Sequence, residues 1–290
     1  MPACLTHHQF AQEVRTRLAQ PVPNPCAYAW GAQGPDFLFC HRYLRSATKK
    51  GVRSLKAYGS ALHKTQPSLT LNALRAFLNG RENPAYRSYI MGFLCHYALD
   101  STAHPYVNAR AEALAQERPW ENTSTMHGEV EAALDAIVLR WKTGALPSEV
   151  KLGAMFPKNE SVQRQIACLY REILFTLYGT DVPETELYKA TRDAHLIFTA
   201  CTDRTGLKRA LFRRLEQGKP GWVTSHLVPI TEDPEPDFAN EGRASWRWGE
   251  VSGNETFFEL YAQALELAVQ LIETFPHADF AALTGERPFG

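Results

Sequence analysis

Three side chains that carry chemistry stand four residues apart inside an apolar run, and that spacing restricts the fold more than any other feature. Residues 92–108 read Gly-Phe-Leu-Cys-His-Tyr-Ala-Leu-Asp-Ser-Thr-Ala-His-Pro-Tyr-Val-Asn, which places His96, Asp100 and His104 behind the apolar residues 90–94. Four residues of α-helix turn about 400°, so each of the three lies roughly 40° from the last on one face. Imidazole and carboxylate groups inside an apolar helix are unfavourable unless they are paired or coordinate a metal. His96 and His104 stand about 12 Å apart along an ideal helix. One ion cannot hold both, so two metal centres are implied if all three ligate. Pro105 disfavours helical geometry at His104. That predicts a helix end there, with His104 turning toward a centre of its own. A helix with merely solvated polar positions is the alternative.

The rest of the chain reads as helices joined by turns, and the expectation is an all-α fold: one multi-helix domain over residues 1–290. Thr6 reads as the N-cap of an amphipathic helix over about residues 7–19, with Phe10, Val14 and Leu18 at helical spacing. Gly34-Pro35-Asp36 is a turn-then-helix signal, in which Asp36 also reads as a first-turn carboxylate complementing the helix dipole. Lys49, Lys50 and Arg53 open a helix that reaches His63, and further helices cover about 68–78, the stretch from Pro84, and a separate short one at 109–117. Residues 123–126 cap a long helix over 127–142 that stops at Gly144. On it His127 and Glu131 share a face at the spacing suited to one metal, although such pairs are common on surfaces. Helical patterns follow at about 160–177, 184–200, 204–217 and 254–275.

Between the last two lies a polar, proline-rich loop at about 218–253 that carries Trp222, Trp246 and Trp248. Loops of this length are usually functional or disordered, and three tryptophans argue against disorder. No strand run, repeat or low-complexity tract is evident.

Lys plus Arg and Asp plus Glu number 31 each, so the formal net charge is zero. No bulk attraction to nucleic acid or to an anionic membrane follows, though bound metal ions would add charge that the count omits. Cysteines 4, 26, 40, 95, 168 and 201 form no C-x-x-C pair and fit reduced thiols. No apolar run reaches the ~18 residues of a transmembrane helix, and the first residues hold no apolar signal-peptide core. The expectation is a cytoplasmic protein with no obligate protein partner evident.

In order and spacing, His7, Asp36, His63, His96, Asp100, His104, His127 and Glu131 resemble the zinc-dependent phospholipase C family and the single-strand-specific nucleases that share its fold. The strongest match is H-x-x-x-D followed by a histidine, here His96, Asp100 and His104, and then H-x-x-x-E, here His127 and Glu131. By motif the match covers roughly the first half of the chain. The resemblance implies a mostly helical domain holding up to three Zn²⁺ ions. It places Asp36, His63, His96 and Asp100 on one ion, with Asp100 bridging to a second that His7 also binds. His104, His127 and Glu131 would hold the third. His8 competes with His7 one position round the helix, and the Thr-His match favours His7.

The chemistry implied is hydrolysis of a phosphoester by a metal-bridging hydroxide, with Asp36 as the catalytic residue that orients or deprotonates it. The substrate would be a phospholipid head group or, on the same fold, single-stranded nucleic acid or a 3′-nucleotide. A non-catalytic helical protein with structural metal sites is the reading from another class. Secreted members of the family begin with a tryptophan that ligates the metal beside the first-helix histidine. This chain has none, so either a Pro2 terminus takes that role or the ion has fewer protein ligands. His41, His195, His226 and His277 lack matching spacing and read as ordinary histidines. Trp222, Trp246 and Trp248 could meet substrate, but loop packing is the simpler account of the last two.

Overall fold

The computed structural model describes residues 3–43, 53–232 and 236–290. In chain order the helices are α1 (Cys4–Arg17), α2 (Pro25–Ala32), α3 (Phe37–Cys40), α4 (Lys56–Lys64), α5 (Pro67–Leu78) and α6 (Pro84–Glu117). They continue with α7 (Thr123–Thr143), α8 (Glu160–Tyr178), α9 (Glu184–Cys201), α10 (Leu207–Leu215), α11 (Phe257–Thr274) and α12 (Phe280–Thr284). A short antiparallel ribbon, β1 (Trp246–Trp248) and β2 (Val251–Gly253), precedes α11. The fold is all-α, as its sequence predicts.

Local signals start several of these helices. Asn24, Asn83, Asn122 and Asn159 each accept a backbone N–H from the helix that follows, and Thr256 and Glu259 form a reciprocal capping box. Thr6 is not an N-cap, because α1 already begins at Cys4. Its free N–H groups are satisfied from another element: the buried Asp135 carboxylate of α7 accepts the backbone N–H of Leu5 at 3.2 Å and of Thr6 at 2.7 Å. The Thr6 hydroxyl donates to the same carboxylate at 2.7 Å. The helix expected to open at Lys49 and Lys50 has that start outside the described residues, as does Pro2. In the described part it begins at Lys56.

Helix α6 runs through Pro105 without a break. The expected end at His104 and the separate helix at 109–117 are therefore corrected to one continuous element. Pro105 forfeits a hydrogen bond to the preceding turn, a loss of ~3 kcal/mol or more in a helix interior. Tyr106, Val107 and Leu114 beyond it are nevertheless buried, and each such side chain contributes about 1.5–3 kcal/mol by leaving water. Burial outweighs the proline.

Helices α2 and α6 meet backbone to backbone. A Cβ on Gly31 would stand 2.0 Å from the Tyr89 carbonyl oxygen, and one on Gly92 only 2.3 Å from that of Tyr28. This approach lays the loop after α2, with Asp36, against α6. Buried apolar side chains from α1 to α12 join one cluster that includes Trp30, Phe93, Tyr170, Tyr261 and Phe280. The 218–253 region holds the ribbon, which the sequence did not disclose because three-residue strands leave no alternation to read. Trp246 packs on Tyr106 of α6, with 5.9 Å between ring centroids. Among the described residues no helix is long and apolar enough to cross a membrane.

Candidate metal centre

Five elements deliver the eight candidate residues to one place. His7 comes from α1, Asp36 from the residue before α3, and His63 from the last turn of α4; α6 supplies His96, Asp100 and His104, and α7 supplies His127 and Glu131. Their ligand atoms form three groups, the atoms of each within 4.8 Å of one another: His7, His96 and Asp100; Asp36, His63 and His96; His104, His127 and Glu131. His8 belongs to none of them.

Asp100 lies at the junction. Its Oδ1 is 3.1 Å from His7 Nε2 and 3.7 Å from His104 Nδ1, while Oδ2 is 3.1 Å from His96 Nε2 and 3.8 Å from His63 Nε2. Asp36 Oδ1 stands 3.2 Å from His63 Nε2 and 4.0 Å from His96 Nε2. In the third group Glu131 Oε1 is 3.3 Å from His127 Nε2 and 3.5 Å from His104 Nε2.

These approaches suit ligands of a common ion better than hydrogen-bond partners. His96 Nε2 and Asp36 Oδ1 are buried without a hydrogen-bond partner among the described residues, despite such close neighbours. They come near without the alignment that a hydrogen bond requires. Two ligand atoms each ~2.0–2.2 Å from one tetrahedral zinc lie about 3.3–3.6 Å apart, close to the spacings here. Imidazole nitrogens with carboxylate oxygens are also the donor set that zinc takes. The residues fit the ion.

Groups behind the cluster aim its imidazoles. His63 Nδ1 donates to the Gly59 carbonyl at 2.8 Å, and His104 Nδ1 to the Phe289 carbonyl at 2.7 Å. A carbonyl oxygen only accepts, so Nδ1 carries the proton in both rings and Nε2 is left facing the cluster. His127 Nδ1 lies 2.9 Å from the Asn108 amide oxygen and is held the same way. Gly34 seats the Asp36 loop on His96: its φ is +52°, and a Cβ there would stand 2.1 Å from the imidazole ring.

Sequence reasoning missed Phe289, Asn108 and Asp135. Phe289 is a lone apolar residue after Glu286-Arg287-Pro288, a weak signal, yet its buried ring lies 5.3 Å from that of His63. Asp135 follows Glu131 by four residues, which was the available cue. His41, beyond the cluster, is buried between the Leu55 N–H at 3.1 Å and the Glu186 carboxylate at 3.2 Å.

The cluster has a floor and a rim. His96 and Asp100 are buried, whereas the side chains of Asp36 and His127 keep 21% and 28% of their surface exposed. Burial favours the neutral form of Asp100, but His104, His96 and His7 outweigh it and hold the carboxyl well below its ordinary range. Glu131 is also held well below its ordinary value against the effect of burial, with His127 and His104 among the groups that pull it down. Burial works against charge on His104, yet Asp100 and Glu131 raise its pKa to about 10. His96 goes the other way, because burial dominates there. In the metal-free protein the carboxylates thus keep protons on neighbouring imidazoles, and zinc competes for the same positions.

The family model described as zinc dependent phospholipase C matches residues 6–179, more than half of the chain. The chain belongs to this family. All eight candidate residues fall within the matched span, while α10, the ribbon and α11 follow it. No curated protein and no solved structure matches the chain. In this member of the zinc dependent phospholipase C family, Asp36 and His127 are the most exposed of the eight candidate side chains.

Proposed function

We propose that this protein is a zinc-dependent phosphodiesterase that hydrolyses phospholipids in the manner of a phospholipase C. The observation that carries the proposal is the position of Asp100, with His7 against one carboxylate oxygen and His96 against the other. Asp36, His63, His96 and Asp100 would hold one zinc, Asp100 and His7 a second, and His104, His127 and Glu131 a third. Zinc held there supplies Lewis acidity, making water nucleophilic near neutral pH and neutralising charge on phosphate oxygens.

The chain's own groups do the rest. Burial raises the Asp36 pKa, but the close approach of His63 more than offsets it and holds the carboxyl below its ordinary range. At the rim it is placed to accept a proton from, or orient, the attacking water. His63 in turn is fixed by the Gly59 carbonyl, so the Asp36–His63 pair holds a set direction toward the opening. His104 and His127, from α6 and α7, would serve where charge develops on the departing oxygen.

One observation favours this reading over its non-catalytic rival. In this assignment the second ion has two protein donors and the third has three, fewer than the four that close a structural zinc. The test is metal analysis followed by assay against phosphatidylcholine, single-stranded DNA and small phosphodiesters. Bound zinc with hydrolysis of phosphatidylcholine supports the proposal. Hydrolysis of DNA alone points to the nuclease chemistry, and full zinc with no hydrolysis of any of the three points to a structural metal site.

A further inference from the structure

Helix α10 is built inside out. Its one buried position is Arg209, whose guanidinium donates to the Glu129 carboxylate at 2.7 Å, to the Thr224 carbonyl at 2.8 Å and to the Leu227 carbonyl. Its three leucines, Leu207, Leu211 and Leu215, recur every fourth residue along one face and are 70%, 56% and 63% exposed. Glu216 lies on the Arg209 side of the helix, and its carboxylate accepts the N–H groups of Val223 at 2.7 Å and Thr224 at 3.0 Å, which holds the exposed Trp222 and Val223 near the end of the helix.

The charge on this stretch is mostly basic, although Glu129 beneath the helix pairs with Arg209 and lies 3.7 Å from Arg213. Residues 204–223 contain six basic residues against one acidic, Glu216, a net +5 in a chain whose total is zero. Arg204, Lys208, Arg213, Arg214 and Lys219 are exposed. Two copies of such a face repel each other, which disfavours self-association. A nucleic acid would use the cations and leave the leucines in water. A surface with phosphate charge outside and hydrocarbon beneath satisfies both, and tryptophan and leucine on a short basic amphipathic helix suit that boundary.

We propose that α10, with Trp222 and Val223, is an interfacial docking surface for a bilayer rich in anionic phospholipid. The Arg209–Glu129 pair fixes it to the stretch of α7 between His127 and Glu131, so the docked membrane and the metal centre keep a constant relation. The proposal takes its purpose from the phospholipase reading above, but its geometry is independent, and the test separates them.

Chelated protein, in which no lipid is turned over, is sedimented with vesicles of phosphatidylcholine alone and of equal parts phosphatidylcholine and phosphatidylglycerol. Binding to the anionic vesicles, weakened by salt, is expected. The double variants Leu211→Ser/Leu215→Ser and Arg204→Glu/Arg214→Glu should each reduce it at least about tenfold, with circular dichroism and melting unchanged. After zinc is restored, both variants should keep wild-type turnover of a soluble short-chain substrate and lose turnover of vesicles. Absence of binding to anionic vesicles overturns the proposal, as does binding that neither variant weakens. Concentration-dependent self-association that the leucine variant abolishes would assign the face to a second copy instead. If zinc-loaded protein hydrolyses nothing yet chelated protein binds vesicles, the docking surface stands and the phospholipase reading falls.

Discussion

Helices α6 and α10 depart from the rule of apolar inside and polar outside in opposite directions. In α6, His96 and Asp100 are buried, and their neighbours His7, His63 and Asp36 come from other elements to meet them. In α10 the leucines face water and an arginine faces in. Neither arrangement is favourable for the isolated chain. Buried charge is tolerable only when paired or coordinated, and each leucine left in water forgoes about 1.5–3 kcal/mol. The α6 departure is partly settled within the chain, by ion pairs, whereas the α10 departure is left on the surface. An inward anomaly thus points to something small enough to enter, and an outward one to something too large to enter.

The largest effect that tests this contrast is expected from Asp100→Asn. It should lower turnover on the order of a thousandfold and remove at least one zinc per chain, read from kinetics and metal content. Full activity with full zinc would break the α6 half of the comparison. Next is Leu94→Ala, which deletes a fully buried side chain of the same helix. It should destabilise the protein by about 3 kcal/mol in urea titration.

Asp135→Asn tests the buried polar group that carries no proposed metal. Burial pushes the Asp135 carboxyl up from its ordinary 3.8 to about 6, against the hydrogen bonds from Thr6 and Leu5. The folded protein therefore holds this proton more tightly than the unfolded chain. The contribution of Asp135 to the stability of the metal-free protein should fall as pH rises from about 4 to about 6, by roughly 3 kcal/mol in all, and change no further above that. Asparagine should abolish that slope while costing about 1 kcal/mol through a lost hydrogen bond, which urea midpoints across pH would show. The smallest effect should come from Leu211→Ala, within about 0.5 kcal/mol of wild type. A loss as large as that of Leu94→Ala would mean that Leu211 is covered after all.

What the sequence disclosed follows the same divide between local and distant causes. The common face of His96, Asp100 and His104, and that of His127 and Glu131, can be read from spacing because a helix repeats locally. Asp36 and His63 carry no such pattern, since each sits at the end of a different short element, and only the resemblance singled them out. The continuity of α6 through Pro105 was hidden, because burial by distant helices overrides a local breaker. Asp135 as a cap for α1 was hidden for a related reason: a carboxylate more than a hundred residues away takes the place of the Thr6 hydroxyl expected as the cap. The leucines of α10 have the period of a core-facing helix, and periodicity alone does not say which way a stripe points.

The carbonyl that orients His104 belongs to Phe289, 185 residues further along the chain. A ribosome therefore releases His96, Asp100, His127 and Glu131 long before it makes the group that sets the His104 ring. Until then the nascent polypeptide offers zinc an unfinished grip, with one imidazole free to spin. A chain interrupted anywhere between Glu131 and Phe289 therefore carries every candidate ligand yet lacks the hydrogen bond that sets the His104 ring.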